Sequence, residues 1–293
     1  MAEPGGECIR PNPPSIENLL AMGTEQIAGS SPTPQLDAEV LLCHCLDKAR
    51  SFLRAWPELR PHPEQIQRYR ALIAQRAQGH PIAHLTGQRE FWSRDFIVTA
   101  DVLIPRPDTE LLVELALELL PADRSAKLID LGTGSGILAI TLASERPRSE
   151  VLACDYSPAA LAVAKANAER LQTRNLRFIH SHWFEQVADK DFDMAVSNPP
   201  YIAEDDPHLN QGDVAFEPRA ALVSPEQGLK DIDLITDQAR EHLKPGGHLL
   251  IEHGYNQGPA VRAIFAARGF DEIATRNDLS GNPRVTSGIW NPA

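Results

Sequence analysis

The chain has 293 residues, long enough for two domains, and 42% of them are hydrophobic, enough to fill real cores, so disorder is not the default. The formal net charge of -12 is unevenly spread: the first 90 residues carry 9 Lys and Arg against 10 Asp and Glu, and the remainder carries 19 against 30. A surface of that sign repels phosphate backbones and the sequence has no clustered Lys/Arg stripe, so a duplex nucleic-acid substrate is disfavoured and no direct nucleic-acid binding is expected.

Met1 to Ser15 is rich in Pro, Gly and Glu, without the basic and apolar regions of a signal peptide, and predicts a frayed beginning. The four cysteines, Cys8, Cys43, Cys45 and Cys154, form no C-x-x-C pair and no spaced metal set. With no apolar run of transmembrane length, a reduced, cytoplasmic setting is expected. From Ser15 to Gly79 apolar residues recur at helical spacing: Ile16, Leu19, Leu20, then Leu36, Val40, Leu41, then Ile66, Tyr69, Leu72, Ile73. Ser15 with Asn18 begins the first helix, and Pro34 and Pro63 lie near the starts of the second and third. Between His80 and Pro107 the pattern changes to Glu90-Phe91-Trp92 and Asp95-Phe96-Ile97-Val98, a hairpin connector. Thr109 to Leu120 is a helix.

Strands and helices then alternate. Strands are expected at 127–131, 151–155, 176–180, 193–197 and 248–252, with helices starting at Gly136, Pro158, Asp231 and Gln257. Asp271 to Thr275 and Arg284 to Trp290 complete seven strands, the last two antiparallel at an edge. The fold class is α/β: a doubly wound, mostly parallel, seven-stranded Rossmann-like sheet with a small N-terminal helical domain. The expected organisation is a helical domain over 1–80, a hairpin connector over 81–107 and the α/β domain over 108–293.

In such sheets ligands sit outside the carboxyl ends of the strands. There the first strand ends in Asp130-Leu131-Gly132-Thr133-Gly134-Ser135-Gly136, and Asp155, at the end of the second, can accept two hydrogen bonds from ribose hydroxyls. The G-x-G-x-G spacing departs from the dinucleotide fingerprint because position 137 is Ile, which weakens an NAD reading. The loop, Asp155 and Asn198-Pro199-Pro200-Tyr201 at successive strand ends together select S-adenosyl-L-methionine as cofactor, with Gly132, Thr133, Gly134, Ser135, Gly136 and Asp155 as its expected site. Trp183 stands where an adenine can stack, or caps the core as a loop aromatic. His180 and His182 alternate at a strand end, but without an evident third ligand they read as surface or packing residues, and no metal is expected.

Asn198-Pro199-Pro200-Tyr201 follows the apolar run Met194-Ala195-Val196. Asn offers an amide carbonyl, the first Pro a carbonyl with no competing N–H, and Tyr an aromatic face. Those groups suit a planar NH2. Its lone pair is delocalised, as in a peptide, where the rotation barrier is about 18 to 20 kcal/mol, and methylation must localise it. If the Asn198 side-chain oxygen and the Pro199 carbonyl each accept one N–H, they align the nitrogen with a sulfonium methyl, while Tyr201 packs against the flat group. Asn198, Pro199 and Tyr201 are the candidate catalytic residues, and Asn198 to Tyr201 the candidate substrate-binding set.

The flanking blocks resemble a known family, the HemK/PrmC-type protein glutamine methyltransferases that modify peptide chain release factors. The resemblance spans nearly the whole chain. It includes Asp37 to Leu42, Pro81 to Gly87 with Glu90-Phe91-Trp92, Leu103 to Glu110, Phe216 to Leu222, Glu252-His253-Gly254 with Gln257, and Asp278 to Arg284. His84 stands where many members carry an aromatic such as Tyr. The resemblance implies the class I S-adenosylmethionine methyltransferase fold. It also implies methylation of the side-chain amide nitrogen (N5) of the glutamine in the Gly-Gly-Gln motif of class I release factors, with the N-terminal helices docking that protein. It places Gly132 to Gly136, Asp155, Trp183 and Asn198 at the cofactor and Asn198 to Tyr201 at the glutamine. A monomer is expected.

The four-residue motif also occurs in adenine-N6 DNA and RNA methyltransferases, which is the alternative reading, disfavoured by the acidic C-terminal part. A non-catalytic binding protein with a vestigial cofactor fold is a third. Glu217 and Arg219 shape the site wall or form a structural salt bridge, and no catalytic role is assigned to them. Phe91, Trp92 and Phe96 read as packing residues.

Overall fold

The computed structural model describes residues 12–292; positions 1–11 of the expected frayed beginning, Cys8 among them, lie outside the described residues, while Ser15, at its end, is ordered as a helix cap. The chain divides into two compact units, 1–86 and 87–293. In the smaller, the Ser15 hydroxyl accepts the Asn18 N–H at 3.3 Å and starts α1 (Ile16–Ile27). Prolines open α2 (Pro34–Leu46) and α4 (Pro63–Ala77). Two further helices, α3 (Arg50–Ala55) and α5 (Ile82–Thr86), are not anticipated from the sequence, because six and five residues are too few to display a helical period. Ile16, Leu19, Ile27, Leu41, Leu42, Tyr69 and Ile73 form the core. Gly23 is required in α1: a Cβ there would lie 2.0 Å from the Tyr69 hydroxyl of α4.

One buried ion pair ties this unit together. Arg76 Nε donates to Asp37 Oδ2 at 2.7 Å, with side chains 8% and 10% exposed. Asp37 also accepts from the Ser31 and Thr33 hydroxyls at 2.7 and 3.3 Å.

The larger unit opens with an antiparallel hairpin, β1 (Gln88–Phe91) and β2 (Arg94–Ile97), whose turn residues Trp92 and Ser93 both have positive φ, as in a type I′ hairpin turn. It is an integral part of this unit. Phe91 and Phe96 are buried in the sheet's core, Trp92 Nε1 donates to Glu145, and Asn167 both accepts the Ile97 N–H at 2.7 Å and donates to its carbonyl at 3.0 Å. A 3-10 turn, Pro107–Thr109, leads into α6 (Glu110–Leu119).

The expected alternation follows: β3 (Lys127–Leu131), α7 (Ile137–Glu145), β4 (Glu150–Asp155), α8 (Pro158–Arg170), β5 (Leu176–His180) and β6 (Phe192–Ser197). After a stretch of short turns come the single turn α9 (Pro225–Gly228), α10 (Lys230–Ala239), β7 (Leu243–Glu252), α11 (Gly258–Ala267), β8 (Phe270–Asn277) and β9 (Pro283–Trp290). The seven strands lie in the order β5-β4-β3-β6-β7-β9-β8; the first five are parallel and β9 is antiparallel to both neighbours. This is the doubly wound, mostly parallel sheet that the alternation predicts. Successive strand residues point to opposite faces. Leu128, Val151, Met194, Val196 and Leu250 meet α6 and α7, whereas Ile129, Leu131, Leu152, Ala195 and Ile251 meet α10 and α11. Burial on both faces explains the near-continuous apolar runs. Among the described residues no helix is long and apolar enough to cross a membrane.

Removing one partner of a buried ion pair leaves an uncompensated charge. Asp37→Ala is expected to destabilise the helical unit by about 3 kcal/mol, read from its urea-unfolding midpoint. A loss within experimental scatter would contradict the assigned role of the pair.

Candidate functional site

β3 lies between β4 and β6, so the chain leaves it in one direction toward β4 and returns on its other side as β6, which makes the topological switch point of the sheet. A cleft of about 460 Å³ opens there, lined by Gly132 to Ser135, Asp155, Trp183, Asn198 and Pro200. Its size falls within the range of small-molecule sites, roughly 300 to 1,000 Å³.

Asp130 faces the α7 side of β3 and is fully buried. Its Oδ2 accepts the Thr133 hydroxyl at 2.6 Å and the Ala139 N–H at 3.1 Å. It therefore caps α7 from the strand, a task that Gly136, which precedes the helix and has no side chain, leaves open. Burial pushes its pKa up to about 7 against the pull of those two donors, and the neighbouring Asp155 adds repulsion. Gly132, Gly134 and Gly136 all have positive φ. Gly136 also permits close packing, since a Cβ there would lie 2.8 Å from Ile140 of α7 and 3.3 Å from Ala164 of α8. The third glycine, one position earlier than in a dinucleotide fingerprint, thus keeps its packing role.

Asp155 closes the loop from the next strand: Oδ2 accepts the Gly134 N–H at 2.9 Å and Oδ1 the Ser157 N–H at 2.8 Å. Burial raises its pKa while the N–H donors of Ser157, Gly134 and Tyr156 oppose the rise. An ionised carboxylate has about four lone-pair sites, so acceptor capacity remains for ribose hydroxyls. Trp183 lies against Gly132, 3.0 Å from where a Cβ would be, and donates its indole N–H to Asp231 at 3.1 Å. A carboxylate beside a glycine turn, an aromatic wall and a cleft of this volume fit S-adenosylmethionine. Among the described residues no group of three or more His, Cys, Asp or Glu can hold a metal ion. His180 instead meets the Tyr156 carbonyl, and His182 pairs with Glu185.

Asn198 and Pro200 line the cleft, Pro199 is buried, and Asn198 Nδ2 donates to Thr109 Oγ1 at 3.2 Å. Tyr201 is held at both ends. Its hydroxyl donates to Glu252 at 3.3 Å and its carbonyl accepts from Gln257 Nε2 at 2.9 Å. Gln257 also donates to the Gln227 carbonyl and accepts the Gly254 N–H, so the Glu252 to Gln257 block supports the motif. Gly228 packs so tightly on the Tyr201 carbonyl that a Cβ would lie 2.0 Å from it.

Glu217 is buried and pairs with Arg106 at 2.7 Å while accepting the Ile104 N–H, so it pins the 104–106 segment and forms no pair with Arg219, which is exposed. Thr109, Asp231 and Glu252 receive no role from sequence reasoning. Their partners lie 89, 48 and 51 residues away, beyond any local pattern; the visible signals are the acid Glu252 ending an apolar strand and the place of Thr109 and Glu252 in the blocks that carry the family resemblance.

The buried acid of the loop sets a pH dependence. In the unfolded chain Asp130 titrates near 3.8 and in the folded chain near 7, so across that window the folded state keeps a proton that the unfolded state releases, and stability falls as pH rises. Asp130→Asn is expected to show a shallower fall in Tm between pH 4 and 7 than the wild type; an unchanged slope would contradict the assignment.

Comparison with known proteins shows the family. Residues 108–218 match the family model described as methyltransferase small domain, and residues 18–87 match the PrmC N-terminal domain. The chain is 48% identical over 275 residues to the release factor glutamine methyltransferase of Shewanella oneidensis, covering 94% of this chain and 96% of that one. It is 50% identical over 262 residues to the protein of the same name from Salmonella typhimurium, covering 89% and 94%. Among solved structures, a methyltransferase from Pyrococcus furiosus is similar over 76% of this chain and 98% of its own, with TM-score 0.52 and 16% identity, a likeness of fold alone. At about half identity over nearly the full length of both proteins, the chain belongs to the release factor glutamine methyltransferase family.

Proposed function

We propose that this chain transfers the methyl group of S-adenosyl-L-methionine to the side-chain amide nitrogen (N5) of the glutamine in the Gly-Gly-Gln motif of class I peptide chain release factors, supporting translation termination. The observation that carries this reading is the convergence of Asn198 with the glycine loop and Asp155 in one cleft. The bound cofactor supplies an electrophilic methyl on a sulfonium. Asp155 accepts the ribose hydroxyls, Gly132 to Gly136 give close backbone approach, and Trp183 provides an aromatic wall. Asn198 Oδ1 and the Pro199 carbonyl each accept one N–H of the glutamine amide, and Tyr201 packs against its flat face. Held by both hydrogens, the nitrogen turns its lone pair toward the methyl, so alignment and fixed dipoles carry the rate. The product cation is far more acidic than an amide and passes its proton to water, which leaves no obligatory base.

The helical unit docks the release factor in this reading. Trp56, 59% exposed, and Met22, 49% exposed, are apolar side chains that it leaves in water. The enzyme acts as a cytoplasmic monomer without direct nucleic-acid contact.

The test is transfer of labelled methyl from S-adenosylmethionine to a purified class I release factor, to the same factor with its Gly-Gly-Gln glutamine replaced by Asn, and to adenine-containing DNA. Label on the first alone is expected, and label on DNA alone would overturn the reading. Asn198→Ala should reduce the rate by about 100-fold or more. Its cofactor affinity should stay closer to wild type than that of Asp155→Ala; equal losses of cofactor binding would contradict the assigned division of roles.

A further inference from the structure

Pro199 and Pro200 carry no N–H, so the two middle residues of the motif cannot anchor their own backbone by donating hydrogen bonds. In the glutamine reading above, the Pro199 carbonyl must also stay free for the target. The path of this segment therefore depends on its ends. At the downstream end the Tyr201 carbonyl accepts from Gln257 Nε2 at 2.9 Å. Next in the chain, the Ile202 N–H donates to the Leu222 carbonyl at 2.9 Å, and the Ser224 N–H donates to the Ile202 carbonyl at 3.0 Å.

All three partners of the Gln257 carboxamide are backbone groups. Its Oε1 accepts the Gly254 N–H at 2.8 Å, and Nε2 donates both to Tyr201 and to the Gln227 carbonyl at 3.0 Å. A backbone N–H only donates and a carbonyl only accepts, so this amide satisfies its partners in one orientation alone. One side chain in front of α11 thus joins the end of β7, the motif and α9, with its two carbonyl partners 56 and 30 residues away.

The backbone of α9 makes the second of those donated bonds significant. Glu226, Gln227 and Gly228 have φ of 56°, 58° and 82°, and the first two are not glycine. Left-handed backbone at such residues persists only where its surroundings hold it. Its consequence is the close approach of Gly228, where a Cβ would lie 2.0 Å from the Tyr201 carbonyl oxygen and 2.8 Å from Gln257 Nε2. Packed against Gly228 and bonded to Gln257, the Tyr201 carbonyl has one place to sit.

We infer that Gln257 is a positioning residue for methyl transfer: through the Tyr201 carbonyl and α9 it fixes where the Pro199 carbonyl and the Tyr201 ring stand. It does not line the cleft itself. The inference rests on the glutamine reading for its effect on catalysis; the clamp is a property of the free protein.

Two substitutions test it. Gln257→Glu keeps the length of the side chain and an acceptor for Gly254, but sets a carboxylate oxygen, which has no proton to give, against two carbonyls. Gln257→Met keeps the length with neither charge nor N–H donor. With a purified class I release factor, both variants are expected to lose about 100-fold in kcat, the scale of a misplacement of about 1 Å. Cofactor affinity by calorimetry and KM for the release factor should stay near wild type, the signature of lost alignment with binding retained. In the free variants, hydrogen exchange of the Ile202, Ser224 and Gly228 N–H groups should speed up about tenfold, while that of the Gly134 N–H, held by Asp155, should not change. Wild-type kcat in Gln257→Met would overturn the inference, as would unaltered exchange or a loss confined to cofactor affinity. Absence of methylation by the wild type would instead count against the glutamine reading, with the exchange result still deciding the clamp.

Discussion

Parallel pairing of β3 with β4 and β6 is the constraint from which the site follows. Leu131 is in register with Cys154 on one side and with Ser197 on the other. The next residue on each strand is Gly132, Asp155 and Asn198. Adjacent strands lie roughly 4.8 Å apart, so three segments spread over positions 132 to 198 of the chain end at one edge within reach of a single small molecule. The pairing is held by apolar burial on both faces, so the cohesion of the core and the geometry of the cleft are one property.

The same edge concentrates buried acids. Asp130 and Glu252 are both driven toward neutral pKa by desolvation, and Asp155 moves in the same direction. Each has a structural task that a neutral apolar residue would not perform: Asp130 caps α7 under the glycine loop, Asp155 receives the Gly134 and Ser157 N–H groups, and Glu252 takes the Tyr201 hydroxyl. Burying them costs free energy, offset by hydrogen bonds that fix the loops lining the cleft.

Much of this was legible in the sequence. The strands announce themselves because residues buried on both faces give uninterrupted apolar runs, and the glycine loop, Asp155 and Asn198 do so because each stands just past such a run. The short helices α3 and α5 are too brief to show a period, and Trp92 and Ser93 are not the residues that usually take positive φ in a hairpin turn. The support of the motif was least legible. Thr109 and Glu252 look like ordinary members of a helix start and a strand end until the sheet brings them beside Asn198 and Tyr201. Glu217 has an Arg two residues away in sequence, yet pairs with Arg106, 111 residues away, because burial and not proximity along the chain selects its partner.

The central claim is that Asp155 and Asn198, on strand ends either side of β3, hold cofactor and target glutamine for direct transfer. A crystal structure of the protein with S-adenosylhomocysteine and a Gly-Gly-Gln peptide tests it most directly. The account predicts ribose hydroxyls on the Asp155 carboxylate and the glutamine amide nitrogen in hydrogen-bonding contact with Asn198 Oδ1, with that nitrogen facing the cofactor sulfur. A glutamine side chain seated away from Asn198, or a cofactor that leaves Asp155 untouched, would contradict it.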